Sequence, residues 1–181
     1  MSNNFKENRS KEQNSMENNI HYDAAKAIWK SVGKIARAVH EYTGIDFEED
    51  YDGKDFTVKV YDPVTKKEEE YIVDVKFRYT DFQDIMLCYK KTRGNKQRLG
   101  WAFNPEKQSD SILYIREKHN EAIWIRREDL IDNRKKLMNI ANDRKSVRGH
   151  DDFGSYVQHN LIIRDEDFFD ICPKTIKVKY A

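Results

Sequence analysis

From Ala24 to Tyr42 the apolar residues Ile28, Val32, Ile35, Val39 and Tyr42 recur at alternating spacings of four and three. That is one face of an amphipathic helix and predicts a helix over 24–42. Thr43-Gly44 is its expected stop, because glycine is the usual residue just past a helix end. The period then changes. Ile45-Asp46-Phe47 reads as a short strand, and Phe56, Val58 and Val60 alternate with Thr57, Lys59 and Tyr61 at strand spacing. Asp62-Pro63 opens a turn. Tyr71, Val73, Val75 and Phe77 alternate with Ile72, Asp74, Lys76 and Arg78, the clearest strand in the chain.

Further strands are expected at 85–89, at 111–115 with 122–125 as a hairpin, and at 156–163 and 175–180. Leu130 to Ile140 reads as a helix, 90–98 and 144–154 as polar loops, and Asp165 to Asp170 as a short acidic turn. Helices and strands mix in this order, which predicts an α+β domain with a central mixed sheet flanked by helices. Residues 1–20 are rich in Asn, Ser, Glu and Lys and hold almost nothing apolar, so a disordered polar tail is expected ahead of a single domain over 21–181.

Composition narrows the function classes. The 181 residues carry 33 Lys+Arg against 32 Asp+Glu, which argues against a histone-like general nucleic-acid binder but leaves room for a local basic patch. No apolar run approaches the length of a membrane span, and the N-terminus has no apolar signal region, so no membrane partner and a cytoplasmic location are expected. Cys88 and Cys172 stand apart with no CxxC, which speaks against a disulfide scaffold or a zinc ribbon. His21, His40, His119, His150 and His159 show no HxH or HExxH spacing, and no GxSxG, GxGxxG or GxxxxGK[ST] occurs. Abundant Asn, Lys, Ile and Tyr match the products of AT-rich genomes, as in low-GC bacteria and their phages.

The most informative segment is Tyr71-Ile72-Val73-Asp74-Val75-Lys76-Phe77-Arg78. On a strand, residues two apart share a face, so Asp74 and Lys76 point one way while Val73 and Val75 point into a core. A carboxylate and an ammonium held side by side on a rigid strand suit phosphodiester hydrolysis. The carboxylate is a hard oxygen ligand for Mg²⁺ or Mn²⁺, and the ammonium can orient water or offset charge on phosphoryl oxygens. A second carboxylate must come from elsewhere. Asp46, directly after the first helix, and Asp55, at the start of the next strand, are the two candidates. The competing interpretation is a solvated strand face with an ordinary surface ion pair.

Gly44-Ile45-Asp46 followed by Val73-Asp74-Val75-Lys76-Phe77, behind a helix, resembles the PD-(D/E)xK nuclease superfamily over roughly residues 24–130. It is also similar to small phage proteins in which a GID(Y/F) segment precedes a V(D/Q)VKxR strand. The resemblance implies a restriction-endonuclease-like fold and a metal-dependent nuclease of phage or mobile-element origin, acting on DNA or RNA. It implies that Asp46 and Asp74, with the backbone carbonyl of Val75, hold the metal and that Lys76 is the catalytic lysine. No proline precedes Asp46 or Asp55, and the middle acid is Asp rather than the commoner Glu. The alternative is a catalytically inactive relative that binds nucleic acid or a host protein. Lys90, Lys91, Arg93, Lys96 and Arg98, flanked by Tyr89 and Trp101, are expected to contact nucleic-acid phosphates.

Overall fold

A computed structural model describes residues 19–41, 54–79, 81, 83–151 and 154–180. The fold is mixed α+β, as expected, and its chain divides into two compact units. Most of the expected tail and all of Ile45-Asp46-Phe47 lie outside the described residues.

The first unit takes the chain up to Asp81, Gln108–Arg126 and the segment from Thr175. It opens with helix α1 (Ile20–Ser31), shorter than the apolar spacing predicts. Gly33 stops it at φ +75, where only a residue without a Cβ sits at ease. The Gly33 amide donates to the Lys30 carbonyl and the Lys34 amide to the Trp29 carbonyl, a closing pattern that satisfies two otherwise orphaned helix carbonyls. Val32 and Ile35, which helical spacing would bury, are 46% and 48% exposed. The chain continues instead as strand β1 (Ile35–Glu41).

Four further strands pair beside it: β2 (Phe56–Asp62), β3 (Lys67–Arg78), β6 (Ser111–Arg116) and β7 (Glu121–Arg126), with β10 (Ile176–Lys179) at the far edge. The order is β1-β2-β3-β6-β7-β10, antiparallel throughout except where β3 runs parallel to β6. The period-2 pattern predicts its purpose. Val58 and Val60 of β2, Val73 and Val75 of β3 and Trp124 of β7 turn to one face, where Ala24, Ala25, Ile28 and Trp29 of α1 close the core. Every residue of β6 is buried, so both faces of the central strands are out of solvent.

The second unit comprises Phe82–Lys107 and Arg127–Lys174. It holds an antiparallel sheet of β4 (Asp84–Arg93), β5 (Lys96–Leu99), β8 (Asp143–Asp151) and β9 (Gly154–Arg164), in the order β5-β4-β9-β8. Its helices are α2 (Arg127–Asp132), α3 (Arg134–Ile140) and α4 (Asp165–Ile171). Four expectations are corrected here. The basic stretch 90–98 is a hairpin turning at Gly94, φ +55, rather than a loop. The segment 144–154 falls on β8 and the start of β9; β8 is an edge strand lacking apolar alternation because little of it is buried, but its ladder to β9 is continuous. Asp165 to Asp170 is helix, its first-turn acids complementing the helix dipole and Phe168 anchoring it at 0% exposure. The helix expected at 130–140 is interrupted at Asn133.

Candidate functional site

Two-residue periodicity places the acids. On β2, Phe56, Val58 and Val60 face α1, so Thr57 belongs to the opposite face, and Asp55 directly precedes the strand. On β3, Val73 and Val75 face α1, so Asp74 and Lys76 share that opposite face. Phe56 pairs with Val73, and the Asp55 amide donates to the Val73 carbonyl at 2.9 Å. That bond is one residue out of step with the β2–β3 ladder, so Asp55 and Phe56 both stand against Val73, and Asp55 reaches β3 through its side chain.

The side chains gather around one tripeptide. The Val75 amide donates to Asp55 Oδ2 at 2.5 Å. The Lys76 ammonium donates to Asp74 Oδ1 and, at 3.2 Å, to the Val75 carbonyl. Asp74 is 1% exposed, whereas the Lys76 side chain is 29% exposed. This is not the solvated face of an edge strand. A carboxylate withdrawn from water needs a cation or strong donors at hand, and Lys76 supplies the charge. Its own partial exposure leaves the ammonium able to swing toward an incoming group.

The oxygens of Asp55, Asp74 and the Val75 carbonyl are all hard ligands, a set that suits Mg²⁺, which takes one or two carboxylates and fills the rest of its shell with water. Among the described residues no group of three or more His, Cys, Asp or Glu is placed to hold a metal. Asp46 lies outside the described residues. Val75 is brought to the site through its backbone alone; its side chain is 3% exposed in the core.

The same sheet face continues into groups that periodicity alone did not single out. Parallel register sets Lys76 beside Tyr114 and Arg78 beside Arg116. Arg116, fully buried, reaches Glu121 Oε2 at 3.2 Å, and Lys177 reaches the other carboxylate oxygen at 3.3 Å. Asp110 fastens the entry to β6 by accepting from the Ile72 amide at 2.8 Å. The sequence signal for the Arg116–Glu121 pair is two opposite charges closing a four-residue hairpin loop between mainly apolar strands.

In the second unit the five basic candidates are not equivalent. Lys91 pairs with Arg98 and Arg93 with Lys96 across the hairpin, so these four share one face. Lys90 pairs with His159, on the other face. There His159 bonds Thr92 Oγ1 at 3.1 Å and Ser146 Oγ at 3.0 Å. Burial, then the Lys90 charge, hold its pKa below the usual histidine value. Among the described residues no carboxylate bonds that imidazole, which is held by Thr92 and Ser146 instead. Cys88 and Cys172 are both buried free thiols, and burial pushes Cys172 up to about 11, far from a reactive thiolate.

Among the described residues no helix is long and apolar enough to cross a membrane. No protein-family model matches this chain, and comparison with curated proteins and with solved structures finds no match either.

Proposed function

We propose that the protein is a metal-dependent nuclease with a restriction-endonuclease-like arrangement of its first unit. The observation that carries the reading is the gathering of Asp55, Asp74 and Lys76 on the Val75 peptide, with Asp74 removed from solvent. Asp74, the Val75 carbonyl and Asp55 would hold one Mg²⁺ or Mn²⁺, with Asp55 taking the first-acid position for which Asp46 is the other candidate. The ion supplies Lewis acidity at a phosphoryl oxygen. With an ion held there, the Lys76 ammonium would be free to orient the attacking water or to offset the charge that builds on the phosphate. The apolar packing of Val73 and Val75 against α1 keeps these groups from shifting along the strand.

A second reading follows from the same geometry. Lys76 already satisfies Asp74 Oδ1 and the Val75 carbonyl, two of the oxygens a metal would use. A chain that had lost catalysis would keep such an internal ion pair as a structural element and act through binding alone, to nucleic acid or to a host protein.

Incubation with plasmid, single-stranded DNA and RNA, with Mg²⁺ or Mn²⁺ and with EDTA, separates the two. Under the nuclease reading Asp74→Asn and Lys76→Ala each lower metal-dependent cleavage by about 10²-fold or more while circular dichroism is unchanged. Parent-like cutting by both variants sinks the reading. Asp55→Asn against Asp46→Asn decides the first acid: the variant that cuts normally is not the ligand.

A further inference from the structure

The four-stranded sheet carries nine Lys or Arg against three Asp, and all three Asp stand at strand ends. Register divides its outer part into two faces. Lys91 and Arg93 of β4, Lys96 and Arg98 of β5, and Lys145 of β8 fall on one of them, together with Tyr156, Gln158 and Asn160 of β9. Like charges directly opposite in a ladder are unfavourable, yet here two such pairs stand in succession. Tyr156 has an uncommon posture. Its ring lies across the neighbouring strand over Gly149, where an added Cβ would come within 2.4 Å of the ring carbon Cζ. Lys91 Nζ sits 3.7 Å from the ring centroid and the Arg93 guanidinium 5.9 Å.

We propose that this face binds single-stranded nucleic acid, with Tyr156 as the stacking platform for a base and Lys91, Arg93, Lys96, Arg98 and Lys145 as the phosphate contacts. A ring laid flat along a sheet offers its π face, which a base can meet only when it is unpaired and turned out of a helix. The cations around the ring supply the sequence-independent attraction to the backbone. Lys91 couples the two contacts: a base arriving on the ring displaces the ammonium onto the adjoining phosphate. Gln158, whose amide nitrogen donates to the buried Asn160 Oδ1 at 2.9 Å, lies on the same face. The inference goes beyond the nuclease reading, since it uses neither Asp74 nor a metal.

The test is fluorescence anisotropy in EDTA with labelled oligo-dT, oligo-U and a DNA duplex of equal length, over a salt series. The single strands bind more tightly than the duplex. Tyr156→Ala weakens single-strand binding about 10-fold and Tyr156→Phe leaves it unchanged. Lys145→Ala, an exposed substitution, weakens binding and flattens the logarithmic salt dependence by about 0.7. An iodouracil-substituted strand cross-links to Tyr156. Equal or tighter duplex binding, cross-links mapping elsewhere, or a folded Tyr156→Ala that binds as the parent does each overturn the proposal. Asp74→Asn separates it from the nuclease reading. Lost cutting with retained oligonucleotide binding is the expected result. Retained metal-dependent cutting without binding to this face defeats the present inference alone.

Discussion

On the six-stranded sheet Lys59 faces Glu70 across the ladder at 3.8 Å and reaches Glu68 diagonally at 3.9 Å. On the four-stranded sheet Lys91 faces Arg98 and Arg93 faces Lys96. Both are antiparallel contacts between long charged side chains, and they differ only in sign. The first arrangement lowers the folding free energy slightly; the second raises it slightly. Deeper in the six-stranded sheet the pairing is stricter still: Arg116, Glu121 and Lys177 form a joined set with Arg116 fully buried. One sheet therefore neutralises its charges internally, around the acid–amine cluster on β2 and β3. The other sets cations opposite cations across its β4–β5 ladder. A net charge of +1 for the whole molecule conceals this division.

The largest effect should come from breaking the buried set. Glu121→Ala strands the Arg116 guanidinium without its carboxylate, and should cost about 3–5 kcal/mol in urea denaturation. A loss below about 1 kcal/mol would mean that water reaches the pair and that the contrast in burial is overstated.

Next comes the pH response of the same unit. His21 is fully buried against Phe56, with ring centroids 5.2 Å apart, and burial pushes its pKa down to about 4 despite the opposing pull of Asp23. The unfolded chain takes up this proton near pH 6.5 and the folded one only near 4. The contribution of His21 is thus intact above about pH 6.5 and is lost as pH falls toward 4. It amounts to at most about 3 kcal/mol, less any screening by nearby water. Denaturation curves for the parent and His21→Leu should diverge in this window. A pH slope that survives the substitution assigns the effect to another group.

The smallest effects sharpen the comparison most directly. Arg98→Glu turns the Lys91 pair into an attractive one and should stabilise by about 0.5 kcal/mol at low salt. Glu70→Lys sets a like charge opposite Lys59 and should destabilise by a similar amount. Both differences should shrink at high salt. If Arg98→Glu is neutral or destabilising at low salt, the like-charge pairs are not in tension, and the contrast between the sheets loses its energetic meaning.

Strands β2, β3, β6, β7 and β9 were legible because each buries at least part of its length, and β10 because Ile176 and Val178 pack partly against the core. Strand β8 was illegible for the converse reason: its residues Asp143–Arg148 are exposed, and its ladder is backbone hydrogen bonding that any polar sequence can make. Helix α1 was overextended because Ile28, Val32, Ile35 and Val39 meet helical spacing by coincidence, and Gly33 was passed over as the stop. The pairing of Asp74 with Lys76 was readable from a two-residue spacing. The contact of Asp55 with the Val75 amide was not readable, because it depends on how β2 enters its ladder with β3.

By itself the sequence determined the alternation that turns Asp74 and Lys76 to one face of β3, because side-chain direction along a strand is a local consequence of backbone geometry. Only the tertiary structure decided that Asp74 is buried, that Asp55 meets the Val75 amide, and that four of five neighbouring cations share one face, with Lys91 over the Tyr156 ring. Register between strands, and the withdrawal of a side chain from water, depend on residues far away in the chain, and no local period encodes them.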